Sequence, residues 1–229
     1  MNRDPETRAR LLTAAERLFA DRGFKKVTVR DICRAARANV AAVNYHFGDK
    51  LGLYHEVLRG VVAAMRTTTE AARRAAAGGP PADRLRRWIE SAATRLLTNN
   101  DGRIYRLVQR EVTDPTPALD DVIERGLRPR IDDVAALVAE CIGMPASDPH
   151  VKRCVASIQT QVIAYLPNPI AARIGMPSHP TSAAEIAAAA AHIAEFSIGG
   201  VNALADNAKA AKAAKTAKGA KRAKKSVGR

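Results

Sequence analysis

The fold of this chain is decided by residues 28–47, which read Thr28-Val-Arg-Asp-Ile-Cys-Arg-Ala-Ala-Arg-Ala-Asn-Val-Ala-Ala-Val-Asn-Tyr-His-Phe47. Thr28 and Asp31 stand at the two positions of a helix capping box, and apolar residues follow at helical spacing as far as Ala36. Asn39 is a residue type that caps a second helix. The stretch therefore predicts two short helices joined by a tight turn, which is a helix-turn-helix.

The second helix of this motif has an apolar side and a slim polar side. At about 100° per residue, Val40, Val43 and Phe47 fall on the apolar side. The opposite side carries Ala41, Ala42, Asn44 and Tyr45. Alanines allow close approach to a major groove and can contact a thymine methyl, whereas the amide and the phenol can reach base edges or phosphates. This side of the helix therefore predicts contact with double-stranded DNA.

Three runs of residues resemble the DNA-binding domain of TetR-family transcriptional regulators. They are Thr28-Val-Arg-Asp-Ile32, Ala35-Ala36 and Val43-Asn-Tyr-His-Phe-Gly-Asp-Lys-Leu-Gly-Leu-Tyr54. A bare helix-turn-helix pattern would be weak support for a family. Here the cap, the hydrophobic spacing, the aromatic ending and the following lysine all occur in order, so the resemblance is specific over the N-terminal quarter of the chain.

The resemblance implies roles for individual side chains. It implies phosphate contacts from Thr28, Tyr45, His46 and Lys50. It also implies base-edge contacts from Val40, Ala41 and Asn44. Arg30 and Asn39 are the remaining candidate DNA-binding residues. The helical wheel places Val40 on the apolar side, whereas the resemblance to the family implies that Val40 contacts DNA. We therefore expect Val40 at the border between the two sides.

Two residues depart from the family pattern. Arg37 stands where the family usually has the glycine of the turn, so the turn either avoids a positive φ or accepts strain there. Asn44 stands where relatives often have tyrosine, so its side chain offers a different set of hydrogen-bonding groups.

The net charge of +14 is unevenly distributed. Residues 1–50 hold eleven Lys/Arg against six Asp/Glu, residues 51–206 are balanced, and residues 207–229 hold nine Lys/Arg and no acid. Positive charge at both ends and a neutral body suit a protein that contacts nucleic acid through its first domain, with the tail as a second candidate.

Several other classes of protein lack support in the sequence. No apolar run is long enough to span a bilayer and the N-terminus lacks a signal-peptide core, so we expect a cytoplasmic, nucleoid-associated protein. Cys33, Cys141 and Cys154 have no metal or redox spacing and are expected to be reduced core residues. Catalytic and phosphate-binding motifs are missing and the histidines are scattered singly, so we expect no enzyme activity, metal or cofactor.

Beyond residue 50 the hydrophobic pattern is helical, without the alternation typical of strands. We therefore expect an all-α fold. It consists of a three-helix helix-turn-helix DNA-binding domain at 1–50, a helical ligand-binding and dimerisation domain at 51–206, and a basic disordered tail at 207–229. The tail is too poor in large apolar residues to build a core. Pro129 should kink or divide the helix that contains it.

The C-terminal part more weakly resembles the CecR-like branch of the family, on the run Arg106-Leu-Val-Gln-Arg-Glu-Val112. This resemblance implies a pocket for an unknown small effector. The candidate pocket residues are aromatic or cationic groups on otherwise apolar helices, namely Trp88, Tyr105, Arg106, Arg110 and Tyr165. For each of them, a core aromatic or a surface ion pair is the alternative interpretation.

The family usually pairs its last two long helices between subunits, and the alanines at 187–191 would permit such close packing, so we expect a homodimer that reads a palindromic operator. The alternative for that segment is a helix buried within one subunit. The expected function is that of a sequence-specific transcriptional regulator, a dimeric repressor of the TetR type released by ligand. The alternative is a nucleoid-type protein that binds DNA without sequence preference through its basic tail.

Overall fold

A computed structural model describes residues 5–98, 102–176 and 179–227. Within these ranges the regular elements are all helices, as expected, and none is long and apolar enough to cross a membrane. The helices are α1 (Pro5–Arg22), α2 (Val29–Ala36), α3 (Val40–Phe47), α4 (Lys50–Ala75), α5 (Pro81–Thr98), α6 (Arg103–Thr113), α7 (Leu119–Asp121), α8 (Arg128–Ile142), α9 (Pro149–Ala164), α10 (Pro169–Arg173) and α11 (Ala183–Val227), with a π-helical segment at Val122–Leu127 between α7 and α8.

Local hydrogen bonds explain where several helices begin. The Asp148 carboxylate accepts from the His150 N–H at 2.7 Å, with Pro149 in the first turn of α9. Ser182 and Glu185 form the capping box that the sequence predicts at the start of α11, since the Ser182 N–H donates to the Glu185 carboxylate at 3.1 Å and the Glu185 N–H donates to the Ser182 hydroxyl at 3.2 Å. Such caps satisfy backbone donors that have no partner within the helix.

The chain forms two compact units. The first contains the described residues of 1–69 and 99–130, and the second contains those of 70–98 and 131–227. The division falls inside α4, and it groups α6 and α7 with the helix-turn-helix. The domain boundary expected at residue 50 does not coincide with this division and stays a prediction.

The core of the first unit is built on α1. Leu11 and Phe19 of α1 are fully buried together with Ile32 of α2 and Val43 of α3, and α1 packs against α2, α3 and α6. Leu107 of α6 is also fully buried in this cluster. Burial of each large apolar side chain in this core stabilises the fold by about 1.5–3 kcal/mol. Because it contributes such a side chain, α6 helps to stabilise the unit that contains the helix-turn-helix.

The core of the second unit contains Trp88 and buried residues of α5, α8, α9 and α11. The buried α11 residues Ala190, Ile193 and Ala194 lie where α11 packs against α5 and α9. Alanines at this contact leave little side-chain bulk between the helix axes, which permits close packing. Within the alanine run at 187–191, Ala189 and Ala190 are therefore buried within one chain, whereas residues 187, 188 and 191 are exposed, and their role in a dimer stays a prediction.

The helix that contains Pro129 is irregular but not divided, since its backbone stays helical from Leu119 to Ile142. The π-helical segment ends at Leu127, and α8 begins at Arg128 with Pro129 in its first turn. Proline cannot donate to the carbonyl four residues earlier and its ring collides with that carbonyl, so a wider turn before it relieves both problems. Gly126 in this segment allows α4 to approach, because a Cβ there would lie 3.1 Å from the Met65 sulfur.

The C-terminal segment differs from expectation. Residues 207–227 continue α11 as a helix rather than forming a disordered tail, and residues 228–229 lie outside the described ranges. Alanine and lysine are among the strongest helix formers, so a segment that cannot build a core can still extend an existing helix. The short helix α10 was not anticipated either; the Asn168 side chain caps it by accepting from the Ile170 N–H at 3.0 Å.

Candidate nucleic-acid interface

The first helix of the motif is held at its start by the predicted capping box. The Thr28 hydroxyl accepts from the Asp31 N–H at 3.2 Å and donates to the Asp31 carboxylate at 2.6 Å, which also accepts from the Thr28 N–H at 3.1 Å. The bonds from Thr28 lower the pKa of Asp31. Both donors of Thr28 are therefore engaged within the cap, and its implied phosphate contact stays a prediction that would have to compete with Asp31.

The turn between the two helices adopts the strained of the two alternatives. Arg37 has φ of 50° and ψ of 49°, the left-handed conformation that favours glycine. Its N–H and that of Ala38 close the end of α2 by donating to the carbonyls of Arg34 and Cys33, at 3.4 and 3.0 Å. The arginine thus tolerates a geometry that costs about 1–2 kcal/mol for a residue with a Cβ.

The outer side of α3 is exposed much as the helical wheel predicts. Val43 is fully buried, which anchors the helix, while Tyr45 is 54% exposed and Val40 is 41% exposed, consistent with its expected border position. The other exposed positions are Asn39, Ala41 and Asn44, and Asn39 caps the helix by accepting from the Ala41 N–H at 3.0 Å. Ala42 corrects the prediction, because it is half-buried and packs against the core of the first unit.

Lys50 has a role that the sequence did not suggest. Its ammonium donates to the carbonyls of Phe24 and Val27, both at 2.9 Å, and lies 4.2 Å from the centre of the Phe24 ring. These bonds fix the segment between α1 and α2 to the start of α4. Of the three N–H donors of the ammonium, one therefore remains for the phosphate contact that the resemblance implies for Lys50.

Cations on α2 extend the exposed face. Arg30 and Arg34 are exposed one helical turn apart, and Arg37 is exposed in the turn that follows. Arg34 and Arg37 were not among the candidate residues, although the spacing of Arg34 one helical turn after Arg30 is a signal that the sequence carries. Since α2 packs against α3, these exposed cations and the half-buried His46 of α3 add positive and hydrogen-bonding groups to the surface of the helix-turn-helix.

Two of the candidate pocket residues instead tie α6 to α1. Arg106 lies 3.4 Å from the Asp21 carboxylate and Arg110 donates to the Asp21 carbonyl at 3.0 Å. Lys25 and Asp114 add an exposed ion pair at 2.6 Å between the segment after α1 and the end of α6. Their neighbour Tyr105 is half-buried on the same helix.

A buried polar cluster joins α6 to α4. The Tyr54 hydroxyl donates to the Glu111 carboxylate at 2.6 Å, and both side chains are almost completely buried. The second carboxylate oxygen of Glu111 accepts from the N–H and the hydroxyl of Thr116, at 3.1 and 2.9 Å. Burial and the neighbouring carboxylate raise the pKa of Tyr54, so its phenol stays a donor.

Two family profiles match the sequence. The profile described as bacterial regulatory proteins of the tetR family matches residues 11–57. The profile of the C-terminal domain of the HTH-type transcriptional dual regulator CecR matches residues 81–201, more than half of the chain. The chain belongs to the TetR family. It is a DNA-binding transcriptional regulator, and the family is a class of regulators rather than of enzymes.

Individual relatives agree with this assignment. The HTH-type transcriptional repressor KstR2 of Rhodococcus jostii is 43% identical over 53 residues, which is 23% of this chain and 26% of that protein, so the match spans only about a quarter of the relative's length. Two solved structures share the fold. KstR2 of Mycobacterium tuberculosis has a TM-score of 0.61 at 20% identity, with 84% of this chain and 93% of that chain covered. A family member from Streptomyces coelicolor has a TM-score of 0.63 at 19% identity, with 83% and 90% covered.

The candidate pocket residues of this TetR-family regulator do not line one common cavity among those described. Trp88 lines a cavity of about 460 Å³ in the second unit, together with two ion pairs, Arg73 with Asp133 at 2.6 Å and Arg84 with Glu140 at 2.6 Å. Tyr165 lines another cavity of that unit, of about 440 Å³. Tyr105, Arg106 and Arg110 belong to the first unit. Ligand contact by any of the five stays a prediction.

Proposed function

We propose that this protein is a homodimeric repressor that binds a palindromic operator and is released from it by a small-molecule effector. The observation that carries the proposal is the exposed side of α3, which presents Ala41, Asn44 and Tyr45 on a helix anchored by buried Val43. A relative named as a transcriptional repressor is 43% identical over 53 residues, which supports repression as the direction of control.

Base recognition is assigned to α3 and affinity to its surroundings. The Asn44 amide offers a donor and an acceptor together, the pattern that pairs with the edge of adenine in the major groove. Tyr45, His46, Arg30 and Arg34 are proposed to contact phosphates, which fixes the register of the protein without specifying sequence. Thr28 and Lys50 are assigned a structural role in the same unit, because Thr28 caps the start of α2 and Lys50 binds the start of α4 to the segment before α2.

Dimerisation is assigned to α9 and α11. Phe196 of α11 is 67% exposed, an unusual position for a phenylalanine, and it lines a groove of about 220 Å³ with Ile158, Val201 and Leu204. Gly199 and Gly200 follow it on α11, and a Cβ at either would meet no other atom within 4 Å. This surface suits the helix pairing by which the family usually forms dimers, and two α3 helices related by a two-fold axis would read a palindrome.

Effector release is assigned to the second unit. The cavity beside Trp88 is large enough for a small molecule. Residues of α4 belong to the cores of both units, Leu53 and Leu58 to the first and Ala72 to the second. An effector that prefers another packing of α4 would therefore shift the equilibrium between a DNA-binding and a released form, because it need only bind the two forms with different affinities.

The experiment that tests the proposal is selection of bound sequences from a random duplex pool at physiological salt. A palindrome with half-sites about one helical turn apart is expected. Recovery of duplexes without a shared motif would overturn it in favour of the alternative, a nucleoid-type protein that binds any duplex. Either outcome suits a cytoplasmic protein associated with the nucleoid, which we propose as its location.

A further inference from the structure

The C-terminal part of α11 carries a concentration of positive charge that the proposed repressor function does not use. We call residues 207–227 the basic end of α11; it holds eight Lys/Arg and no Asp/Glu. The last acid before it, Asp206, pairs with Lys209 at 3.4 Å. At about 1.5 Å per residue the basic end is about 30 Å of continuous helix.

The helical backbone places four of these eight cations on one side and three on the opposite side, with Lys215 between the two groups. Lys218, Lys221, Arg222 and Lys225 occupy positions i, i+3, i+4 and i+7, which fall within an arc of about 100° and about 10 Å of helix length. We call these four positions the basic arc. Lys209, Lys212 and Lys224 fall on the opposite side by the same geometry. A disordered segment would make no such distinction.

The composition of the basic end selects the kind of partner. Its apolar residues up to Lys225 are all alanine, so no large side chains are available to enter a hydrophobic groove or the acyl region of a membrane. A helix that offers charge without apolar area binds a polyanion, and duplex DNA carries one negative charge for about every 1.7 Å of its axis. The helix-turn-helix on the same chain would bring such a duplex to a high local concentration.

We propose that the basic end of α11 is a second DNA contact, which docks as a helix on the phosphate backbone of duplex outside the operator through the basic arc. The proposal rests on the repressor function only in that α3 delivers the duplex. It adds affinity that falls with salt and does not change which base sequence is chosen, because phosphates carry no sequence information.

The test compares two variants of the full-length protein that remove the same charge. The arc variant carries K218Q, K221Q and K225Q, and its matched control carries K209Q, K212Q and K224Q. Glutamine has a helix propensity close to that of lysine, so α11 should persist, which circular dichroism checks. The dissociation constant is measured against salt concentration, on a duplex with long random flanks around the selected motif and on the motif alone.

We expect the arc variant to flatten the slope of log Kd against log salt by up to about 2.7, at about 0.9 for each phosphate that the protein no longer neutralises, and only on the long duplex. The control should keep most of the slope. Equal flattening by both variants would show that charge acts without a helical face, and an unchanged slope would show that the basic arc does not bind DNA; either result overturns the proposal.

Two further outcomes keep the proposals separate. If no palindrome is selected, the repressor proposal fails, yet the slopes on random duplex still test the basic arc. Vesicles of phosphatidylglycerol and phosphatidylcholine provide the competing polyanion. Arc-dependent binding to vesicles with unchanged DNA slopes would assign the surface to a membrane and overturn the DNA contact.

Discussion

Asn44 is the exposed side chain whose chemistry distinguishes base pairs most directly. Its carboxamide offers a donor and an acceptor from the outer side of α3, beside alanine at position 41. The family often has tyrosine at this position, whose hydroxyl offers a single group. The departure from the family pattern therefore predicts a base preference of its own, centred on adenine.

The substitution Asn44→Ala is expected to relax preference at one operator position. Loss of a bidentate contact reduces discrimination there by about 1–3 kcal/mol. Arg34→Ala is the matched control, because an exposed arginine that contacts phosphate should weaken binding to all duplexes alike. Quantitative binding to operators changed at single positions checks both, and equal losses on operator and random DNA for Asn44→Ala would contradict this division of roles.

Lys50 is expected to matter for stability as well as for DNA binding. Lys50→Met keeps much of the stem but leaves the carbonyls of Phe24 and Val27 without the ammonium, at a cost of about 1–3 kcal/mol in the free energy of unfolding. Thermal and urea unfolding measure it, with Lys26→Met as the control, since Lys26 is exposed in the same segment. A variant as stable as the wild type that binds every duplex weakly would favour the phosphate role alone.

At the scale of helices, α6 is the element whose position explains most about the first unit. It reaches α1 through arginines on Asp21 and α4 through the buried pair Tyr54 and Glu111. A buried carboxylate is costly unless donors surround it, and Glu111 accepts three hydrogen bonds. This cluster specifies how α6 sits on α4, because a displaced α6 would separate the Glu111 carboxylate from the Tyr54 hydroxyl.

Removal of one hydroxyl tests this cluster. Tyr54→Phe should lower the free energy of unfolding by about 1–3 kcal/mol, since one buried carboxylate oxygen of Glu111 loses its donor. Tyr45→Phe is the same chemical change at a side chain that is mostly exposed, and it should leave stability unchanged while weakening DNA binding. Urea denaturation of the two variants measures the difference. A Tyr54→Phe protein with the wild-type midpoint would mean that water replaces the phenol.

The helix-turn-helix was predictable because its signals are local. Thr28, Asp31 and Asn39 cap helices through bonds that span two or three residues, and Val43 follows from helical periodicity. The roles of Lys50 and Arg110 were not, because their partners are carbonyls more than twenty residues away. Such contacts exist only once the helices have packed, and a helical wheel contains no information about them.

The C-terminal half shows the same limit. The caps at Asp148 and Ser182 are local and follow from the residue types at those positions. Composition predicted that residues 207–229 could not build a core, but it did not predict that a long helix would continue into them. The five candidate pocket residues share only a chemical type, and chemical type does not indicate which helices meet.

At the scale of the whole molecule, the proposed repressor requires two copies, and one exposed side chain offers a direct test. Phe196 is 67% exposed beside a groove between α9 and α11, and Ile170 of α10 is 66% exposed in the same unit. Phe196→Asp would place a charge in the centre of the proposed dimer contact, where desolvation of an unpaired carboxylate is costly. Ile170→Asp makes the same change away from that groove.

Light scattering should give the mass of a monomer for Phe196→Asp and of a dimer for both Ile170→Asp and the wild type. Because a monomer engages one half-site, its affinity for the palindrome should fall by about 100-fold or more, while its affinity for an isolated half-site is retained. The retained half-site affinity distinguishes loss of pairing from loss of folding. Dimeric Phe196→Asp protein with full operator affinity would place the interface elsewhere, whereas a monomeric wild type that still binds the palindrome would mean that DNA itself assembles the pair.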